Sequence, residues 1–308
     1  MRATLIHNPT AGSAQPSAET LMGWLRAAGY DVRYASSKRK AYADALEDPG
    51  DLVVAAGGDG TVTKVARRLV GQDVPLAILP IGTANNIATT LGISGAPDAI
   101  IRALPTAQRR WLDVGTARGP WGESRFIESA GVGLFASMLE HAERLAESRA
   151  HGATGDDSFA NSVRGARKLL AAQPARFCRI EADGDDLSGR YALAVAMNIK
   201  RIGSTLEIAP DADAEDGKLD LVLLREDDRQ TLDAHLAQLL DPEPAPFPLG
   251  PRRVAVARIA WDLAAGHLDD ARWPAPTDAE AYATDEPPLV ELAILDRPLA
   301  ILIASGRR

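Results

Sequence analysis

Cysteine is almost absent from this chain, because Cys178 is the only one among 308 residues. A single thiol excludes internal disulfide bonds and any zinc site built from several cysteines. Uninterrupted apolar runs are far shorter than a membrane span, and the apolar stretch after Met1 is too short for a signal peptide. We therefore expect a soluble, cytoplasmic protein.

An excess of positive charge is missing as well. The formal net charge is −8 at pH 7, whereas broad nucleic-acid binding needs a basic face. We therefore expect no nucleic-acid partner. Small basic clusters such as Arg67-Arg68 and Arg109-Arg110 are compatible with phosphate, with an anionic lipid surface or with ordinary solvated surface.

The length and the pattern of apolar residues predict two domains. Up to about residue 110, short apolar strands alternate with turns and helical periods, which is typical of an α/β domain with a parallel sheet. Beyond it, alternating stretches such as 176–182 indicate antiparallel strands. We predict an α/β nucleotide-binding domain at 1–110 and a β-sandwich substrate domain at 111–297, with a strand in 298–308 returning to the first sheet.

A glycine-rich turn follows the strand at 52–56 and precedes a helical period. It contains Gly57, Gly58, Asp59, Gly60 and Thr61. Glycines let backbone N–H groups approach a phosphate, and the helix N-terminus adds a positive dipole. Asp59 would then hold Mg²⁺ against the outer phosphates of a nucleotide. The alternative is a tight turn with a helix-capping aspartate.

Two further polar turns follow strands of the same predicted sheet. In an open parallel sheet, ligands bind beyond the carboxyl ends of the strands, so these turns are expected to converge on one site. Their side chains suit phosphate, ribose or base edges, although each alone is also ordinary turn chemistry. The residues are Asn8, Pro9 and Gly12 in the first turn, and Gly82, Thr83, Asn85 and Asn86 in the second.

These motifs, in this order, resemble the diacylglycerol kinase catalytic-domain superfamily, which includes bacterial lipid kinases and the sphingosine and ceramide kinases. Later matches are found at 112–115, 128–133, 208–212 and 216–220. The resemblance implies that ATP and Mg²⁺ bind between the two domains and that the γ-phosphoryl group is transferred to a lipid hydroxyl. It also implies transient contact with a membrane surface.

The resemblance implies roles for several carboxylates. Asp113 matches an acidic position near the active centre, although by itself it is equally a strand-end cap. Asp213, Asp216 and Lys218 match a second, structural Mg²⁺ site, which carboxylate and carbonyl oxygens suit. The alternative for that segment is a solvated hairpin turn, because Asp-Gly is a turn signal in its own right.

The catalytic base of the family precedes a proline near the C-terminus. The best match here is the stretch 284–287, in which Glu286 precedes Pro287 and is favoured over Asp285. A carboxylate serves as base because the hydroxyl proton becomes acidic as the oxygen attacks phosphorus. A simple turn at the edge of a strand is the alternative.

Three departures from the family pattern leave other functions open. Asn86 stands where the family usually has Asp, and Thr63 and Lys64 replace an Asn-Glu pair. One alternative is a member of the superfamily that binds nucleotide or lipid with little catalysis. Another is an NAD kinase, whose fold carries the same glycine-rich turn, although the 82–86 and 209–212 segments argue against it.

The acceptor alcohol is not identified by the sequence, because acyl-chain pockets are built from the same apolar residues as a core. Candidates for a pocket wall are Leu134, Phe135, Met138 and Leu139, for which helix core is the favoured interpretation.

Overall fold

A computed structural model describes residues 1–12, 15–150, 159–203, 206–241, 245–261, 266–273 and 289–303. No helix among these residues is long and apolar enough to span a membrane.

The first sheet contains six strands in the order β2-β1-β3-β4-β20-β5. All neighbouring pairs are parallel except β20 with β5. The last strand of the chain therefore lies in the first sheet, next to β4. The strands are β1 (Arg2–His7), β2 (Asp31–Ser36), β3 (Leu52–Gly57), β4 (Leu76–Pro80), β5 (Gln108–Leu112) and β20 (Leu299–Ile303).

The central position of β3 follows from its sequence. All six residues of Leu52–Gly57 are buried, as expected for a strand covered by helices on both faces. Five helices accompany this sheet, and α3 begins directly after β3. They are α1 (Ala18–Ala27), α2 (Ala41–Ala45), α3 (Asp59–Leu69), α4 (Asn86–Thr90) and α5 (Pro97–Ala103).

The second sheet is antiparallel in every pair and contains twelve strands. Alternation of buried and exposed residues along Arg176–Ala182 gives β9 one face toward the core. The strands are β6 (Gly115–Gly119), β7 (Gly122–Phe126), β8 (Ser129–Gly133), β9, β10 (Asp185–Asp186), β11 (Gly189–Met197), β14 (Leu219–Arg225), β15 (Arg252–Val254), β16 (Val256–Trp261), β17 (Gly266–Leu268), β18 (Ala271–Arg272) and β19 (Leu289–Ile294). The predicted fold class, an α/β domain followed by an antiparallel β domain, is confirmed.

Three helices cover one face of the second sheet, and a two-stranded hairpin lies near α4. The helices are α6 (Leu134–Ala150), α7 (Phe159–Ala172) and α8 (Arg229–Gln238), and the hairpin pairs β12 (Arg201–Ile202) with β13 (Leu206–Glu207). Apolar residues of α6, α7 and α8 form one core cluster with β11 and β14. Helical periods in the sequence at 137–147 and 230–240 predict α6 and α8, whereas we had no corresponding prediction for α7.

Candidate active site

Three turns lie together at the carboxyl edge of the first sheet. A Cβ atom built on Gly12 would lie 2.5 Å from Ile81 O, and one built on Gly82 would overlap Gly58 Cα. Gly12 has a φ of +52°, which glycine adopts without strain. Close approach of the turns therefore requires glycine at positions 12 and 82.

The turn after β3 opens α3. Gly58 precedes the helix in an extended conformation, and its carbonyl accepts hydrogen bonds from Thr61 N at 2.9 Å and Val62 N at 3.2 Å. A side chain on Gly57 would overlap Thr61. The first N–H groups of a helix have no partner within the helix, so the start of α3 is suited to an anion.

Asp59 links the two turns at the ends of β3 and β4. Its Oδ1 accepts a hydrogen bond from Ile87 N at 2.9 Å, near the start of α4. Its Oδ2 accepts no hydrogen bond from the described residues. The metal-binding and the helix-capping interpretations of Asp59 are therefore both compatible with the structure. One oxygen caps a neighbouring helix, and the other remains available to a metal ion.

The first polar turn is closed by its own side chains. Asn8 Oδ1 accepts hydrogen bonds from Thr10 N at 3.1 Å and Thr10 Oγ1 at 3.0 Å. Pro9 and Thr83 are exposed beside this cluster of turns. Their roles toward a nucleotide stay predictions.

The two asparagines of the last turn are held by backbone groups. Asn85 adopts a left-handed φ of 53°, and its side chain exchanges hydrogen bonds with Gly82 N at 3.0 Å and Gly82 O at 2.9 Å. Asn86 is buried and donates to Gly203 O at 2.6 Å. Both amides are therefore engaged in holding backbone, and Asn86 ties α4 to the loop after β12.

A cavity of about 390 Å³ begins at Asp59 and runs between the helices of the second sheet. This volume lies in the lower part of the range for small-molecule sites. Its polar end is lined by Asp59, Gly60, Asn86, Glu128, Ser129, His267, Asp269 and Asp270. Its apolar end is lined by Leu134, Phe135, Met138, Leu139, Val163, Ala166, Ile202, Leu206, Leu232, Leu236 and Leu239.

The residues proposed for a pocket wall line this cavity. Leu134 and Phe135 are at the same time buried in the core cluster of α6, α7 and α8. The favoured interpretation, that these residues belong only to the helix core, is therefore incomplete. The same side chains pack in the core cluster and line the cavity. Sequence periodicity identifies the apolar face of a helix but does not distinguish a filled core from an open cavity.

Asp269 forms a buried hydrogen-bonded centre next to the cavity. Its carboxylate accepts hydrogen bonds from Ile127 N, Glu128 N and Ser129 N at 2.7 to 3.2 Å, and from Arg67 Nη2 at 2.6 Å. Its side chain is fully buried. Burial raises the pKa of Asp269, while the Arg67 guanidinium and the backbone N–H groups oppose that shift.

Glu128 and Asp269 form a close pair of buried carboxyl groups. Burial first, and then the charges of Asp269, Asp59 and Asp270, raise the pKa of Glu128 well above its usual value. Asp269 is the member of the pair with a guanidinium and three N–H donors, so we assign the negative charge to Asp269 and the proton to Glu128. Burial therefore raises the pKa of both carboxyl groups, and Asp269 is the one whose negative charge has partners.

His267 faces the same end of the cavity and is fully buried. Burial lowers its pKa to about 4, so the ring is neutral at pH 7. The Nε2 atom lies 3.3 Å from Ser129 Oγ. His267 therefore adds a polar but uncharged group to the wall.

Asp270 is the carboxylate that sequence reasoning missed. It lies with Asp269 in the tight turn between β17 and β18, is exposed, and lines the cavity. A Cβ atom built on Gly60 would lie 3.0 Å from Asp270 Oδ2, so this carboxylate faces the glycine-rich turn. The adjacent acids at 269 and 270, flanked by short strands, were the available signal in the sequence.

Asp113 lies beside the 213–217 turn and is not among the residues that line the cavity. Its N–H donates to Ala214 O at 2.7 Å, and its Oδ2 accepts from Gly217 N at 2.7 Å. Burial, and then the carboxylates of residues 213, 215 and 216, raise its pKa to about 6. The structure therefore groups Asp113 with the predicted structural metal segment.

The predicted metal segment is a turn whose acids bind its own backbone. Asp213 Oδ1 accepts from Glu215 N at 3.1 Å, and Asp216 Oδ1 accepts from Lys218 N at 2.9 Å. Within the described parts of the chain, no group of three or more His, Cys, Asp or Glu side chains is arranged to hold a metal ion. The metal site at Asp213, Asp216 and Lys218 stays a prediction.

We expect Mg²⁺ to stabilise the protein through this turn, because a cation relieves repulsion between Asp113 and its acidic neighbours. Mg²⁺ at about 100 times its Kd adds about 2.7 kcal/mol to the free energy of unfolding. Thermal unfolding with and without Mg²⁺ measures the effect. Asp216→Ala should lose most of this gain, whereas Asp227→Ala, an exposed control, should keep it. Equal gains in all three proteins would exclude an ion at the turn.

Glu286 and Asp285, the predicted bases, lie outside the described residues. Their roles stay predictions that the geometry does not address.

Two family models match the chain. Residues 2–117 match the diacylglycerol kinase catalytic domain, and residues 142–243 match the YegS C-terminal NAD kinase beta sandwich-like domain. The diacylglycerol kinase of Bacillus subtilis is 28% identical over 238 residues, which cover 73% of this chain and 74% of that protein. A YegS-like lipid kinase of Pseudomonas putida is 30% identical over 218 residues, covering 66% and 67%.

Solved structures share the fold. A diacylglycerol kinase of Bacillus anthracis superposes with a TM-score of 0.68 at 18% identity, covering 99% of this chain and 97% of that one. An NAD kinase of Archaeoglobus fulgidus in complex with ATP gives a TM-score of 0.53 at 12% identity, covering 99% and 94%.

The α/β sheet followed by an antiparallel sheet agrees with the catalytic domain and the beta sandwich-like domain that the two family models describe. The chain belongs to the diacylglycerol kinase catalytic-domain superfamily of lipid kinases.

Proposed function

We propose that the protein is an ATP-dependent lipid kinase that transfers the γ-phosphoryl group to the hydroxyl of a lipid. The observation that carries the proposal is the cavity, whose polar end lies at Asp59 and Gly60 and whose other end is apolar. A hydroxyl at the polar end of a lipid is thereby placed next to the turns suited to phosphates, while its chain is buried among leucines.

The three turns fit the phosphates of ATP. Side chains on Gly12 and Gly82 would overlap neighbouring backbone, and one on Gly58 would be tight. With glycine at these positions, phosphate oxygens could reach backbone N–H groups directly. When bound, Mg²⁺ neutralises charge that develops during phosphoryl transfer. Asp59 Oδ2 is our candidate ligand for it, since carboxylate oxygen is the donor that this ion prefers.

Asp270 is our candidate for the proton acceptor, by comparison of the four carboxyl groups that line the cavity within the described part of the chain. Asp269 is occupied by Arg67 and three N–H groups, and Glu128 holds its own proton. Asp59 is assigned to the metal and to Ile87 N. Asp270 accepts no hydrogen bond from the described residues and is open to the cavity.

The proposed reaction follows from the positions of the lipid hydroxyl, the γ-phosphate and Asp270. The lipid hydroxyl oxygen forms a bond to the γ-phosphorus while the bond from that phosphorus to the bridging oxygen of ATP breaks. The hydroxyl proton passes to Asp270 late in the transfer, when the oxygen has become acidic. ADP carries the electron pair of the broken bond, and the phosphorylated lipid leaves through the cavity.

An assay with radiolabelled ATP tests the proposal against diacylglycerol, monoacylglycerol, phosphatidylglycerol, sphingosine and ceramide. For the preferred class, we expect kcat/KM to rise by up to about 4-fold for each methylene group added, because each buried group contributes about 0.8 kcal/mol. The rise in kcat/KM should end at the length at which the acyl chain of the lipid fills the cavity.

A variant of the cavity wall distinguishes two causes of this rise: burial of the acyl chain in the cavity, and general attraction of the protein to lipid micelles. Leu236→Trp places a larger side chain in the apolar end and should end the rise at a shorter chain. Leu240→Trp makes the same change at an exposed position that does not line the cavity, and should behave like the wild type. Identical chain-length profiles in all three proteins would remove the cavity from lipid binding.

The rival functions have their own readouts. In α3, Thr63 is buried and Lys64 is exposed, and neither residue type supplies the carboxylate of the Asn-Glu pair expected from the family resemblance. A weakly catalytic member would bind Mg-ATP without transferring phosphate to any lipid in the panel. An NAD kinase would phosphorylate NAD in the same assay.

A further inference from the structure

A second cavity lies behind the hairpin of β17 and β18. Its volume is also about 390 Å³, and it is lined by Arg67, Arg125 and Arg272 together with Glu123, Ser124, Leu268 and Ala271. His267, Asp269 and Asp270 of the same segment line the cavity proposed above for the lipid, which we call the lipid cavity. The hairpin therefore forms a thin wall with a different cavity on each side.

Three arginines from separate elements line this second cavity, which we call the arginine pocket. Arg67 lies on α3, Arg125 on β7 and Arg272 on β18. The carboxylate that lines the pocket, Glu123, is already paired with Arg118 at 2.9 Å. Arg67 pairs with Asp269 at 2.6 Å and Arg272 with Glu140 at 3.7 Å. Arg125 has no carboxylate partner among the described residues, so an anion in the pocket would gain mainly from the charge of Arg125.

Two of these arginines keep unused donors. Each guanidinium has five N–H groups. Arg67 directs Nη2 to Asp269, while its buried Nε has no hydrogen-bond partner among the described residues. Arg125 donates Nη1 to Arg67 O at 3.2 Å. The planar arrangement of these donors matches the oxygens of a phosphate group better than a single ammonium would.

We propose that the arginine pocket binds a phosphate group at a site distinct from the nucleotide turns. The group belongs either to a free phosphate ester or to the headgroup of an anionic lipid. An anion here would share Arg67 with Asp269. Because Asp269 holds the backbone of residues 127–129 at the wall of the lipid cavity, binding in the pocket is physically linked to the candidate active site.

The test is binding to the full chain in the presence of saturating non-hydrolysable ATP, which occupies the nucleotide turns. Calorimetry with inorganic phosphate examines the free anion. Co-sedimentation with phosphatidylcholine vesicles, with and without phosphatidylglycerol, examines a headgroup. Arg125→Gln and Arg272→Gln should each weaken binding by about tenfold or more, the usual size of a charged hydrogen bond.

Arg102→Gln is the matched control, because this exposed arginine on α5 is far from the pocket in sequence and lines neither cavity. Loss of phosphate affinity in the pocket variants assigns a soluble ester, and loss of only the phosphatidylglycerol-dependent sedimentation assigns a lipid headgroup. If both probes bind the pocket variants and Arg102→Gln equally, the proposal is wrong. Arg272→Gln, with a half-exposed side chain, keeps the test valid should Arg125→Gln unfold.

Discussion

Asp270→Asn is expected to reduce the turnover number with the preferred lipid by about 10²- to 10⁴-fold, which is the scale for removal of a general base. Asparagine keeps the shape of the side chain but cannot take the hydroxyl proton. Because the carboxylate faces Gly60 without supporting other backbone groups, the melting temperature should change little. Mg-ATP affinity, measured by calorimetry, should also stay near the wild-type value.

The same assay decides between Asp270 and the acids before Pro287. If Glu286 is the base, Glu286→Gln should produce the large loss and Asp270→Asn a small one. Asp285→Asn serves as the control for a nearby charge. A large loss in Asp270→Asn together with full activity in both other variants supports the assignment made from the cavity. The reverse pattern returns the role to Glu286.

The parallel half of the fold was predictable because local and global signals agree there. The strand Leu52–Gly57 is apolar throughout and ends in glycines, so its burial and the helix after it follow from sequence alone. The convergence of three turns also follows, since carboxyl ends of parallel strands share one edge. The sequence does not contain the distance between the turns. The structure supplies it, because a Cβ atom on Gly82 would lie only 2.3 Å from Gly58 Cα.

The missed elements have different reasons. Helix α7 buries Val163, Ala166 and Leu170 at helical spacing, so a local signal for this helix was present in the sequence. Asp269 and Asp270 are separated from the glycine-rich turn by about two hundred residues of chain, so no local pattern connects them. The match at Glu286 depends on the proline that follows it in the sequence. Asp269 and Asp270 instead lie in a hairpin whose strands have only three and two residues.

If both proposals hold, the lipid cavity and the arginine pocket place two binding sites on the two sides of one hairpin. Residues 267, 269 and 270 face the cavity, and residues 268, 271 and 272 face the pocket. A shift of this hairpin would move Asp270 relative to Gly60 and change both surfaces together. The buried contacts of Asp269 oppose such a shift, because breaking a buried charged pair costs several kcal/mol.

Asp59 provides the second large effect, and two substitutions separate its possible roles. Asp59→Asn keeps an oxygen that accepts the hydrogen bond from Ile87 N but removes the charge, whereas Asp59→Ala removes both. If the carboxylate holds Mg²⁺, both variants should lower Mg-ATP affinity in calorimetry by about 10²-fold, since even indirect partners of a metal contribute 10- to 100-fold.

Thermal unfolding distinguishes capping from metal binding in the same two variants. Loss of a helix cap costs about 1 kcal/mol, so Asp59→Ala should melt at a lower temperature while Asp59→Asn should remain close to the wild type. Ile87→Val is a mild control for the start of α4, because it leaves Asp59 and the N–H group of residue 87 in place. If Asp59→Asn binds Mg-ATP as tightly as the wild type, Asp59 is a cap only, and the metal must be held by other groups.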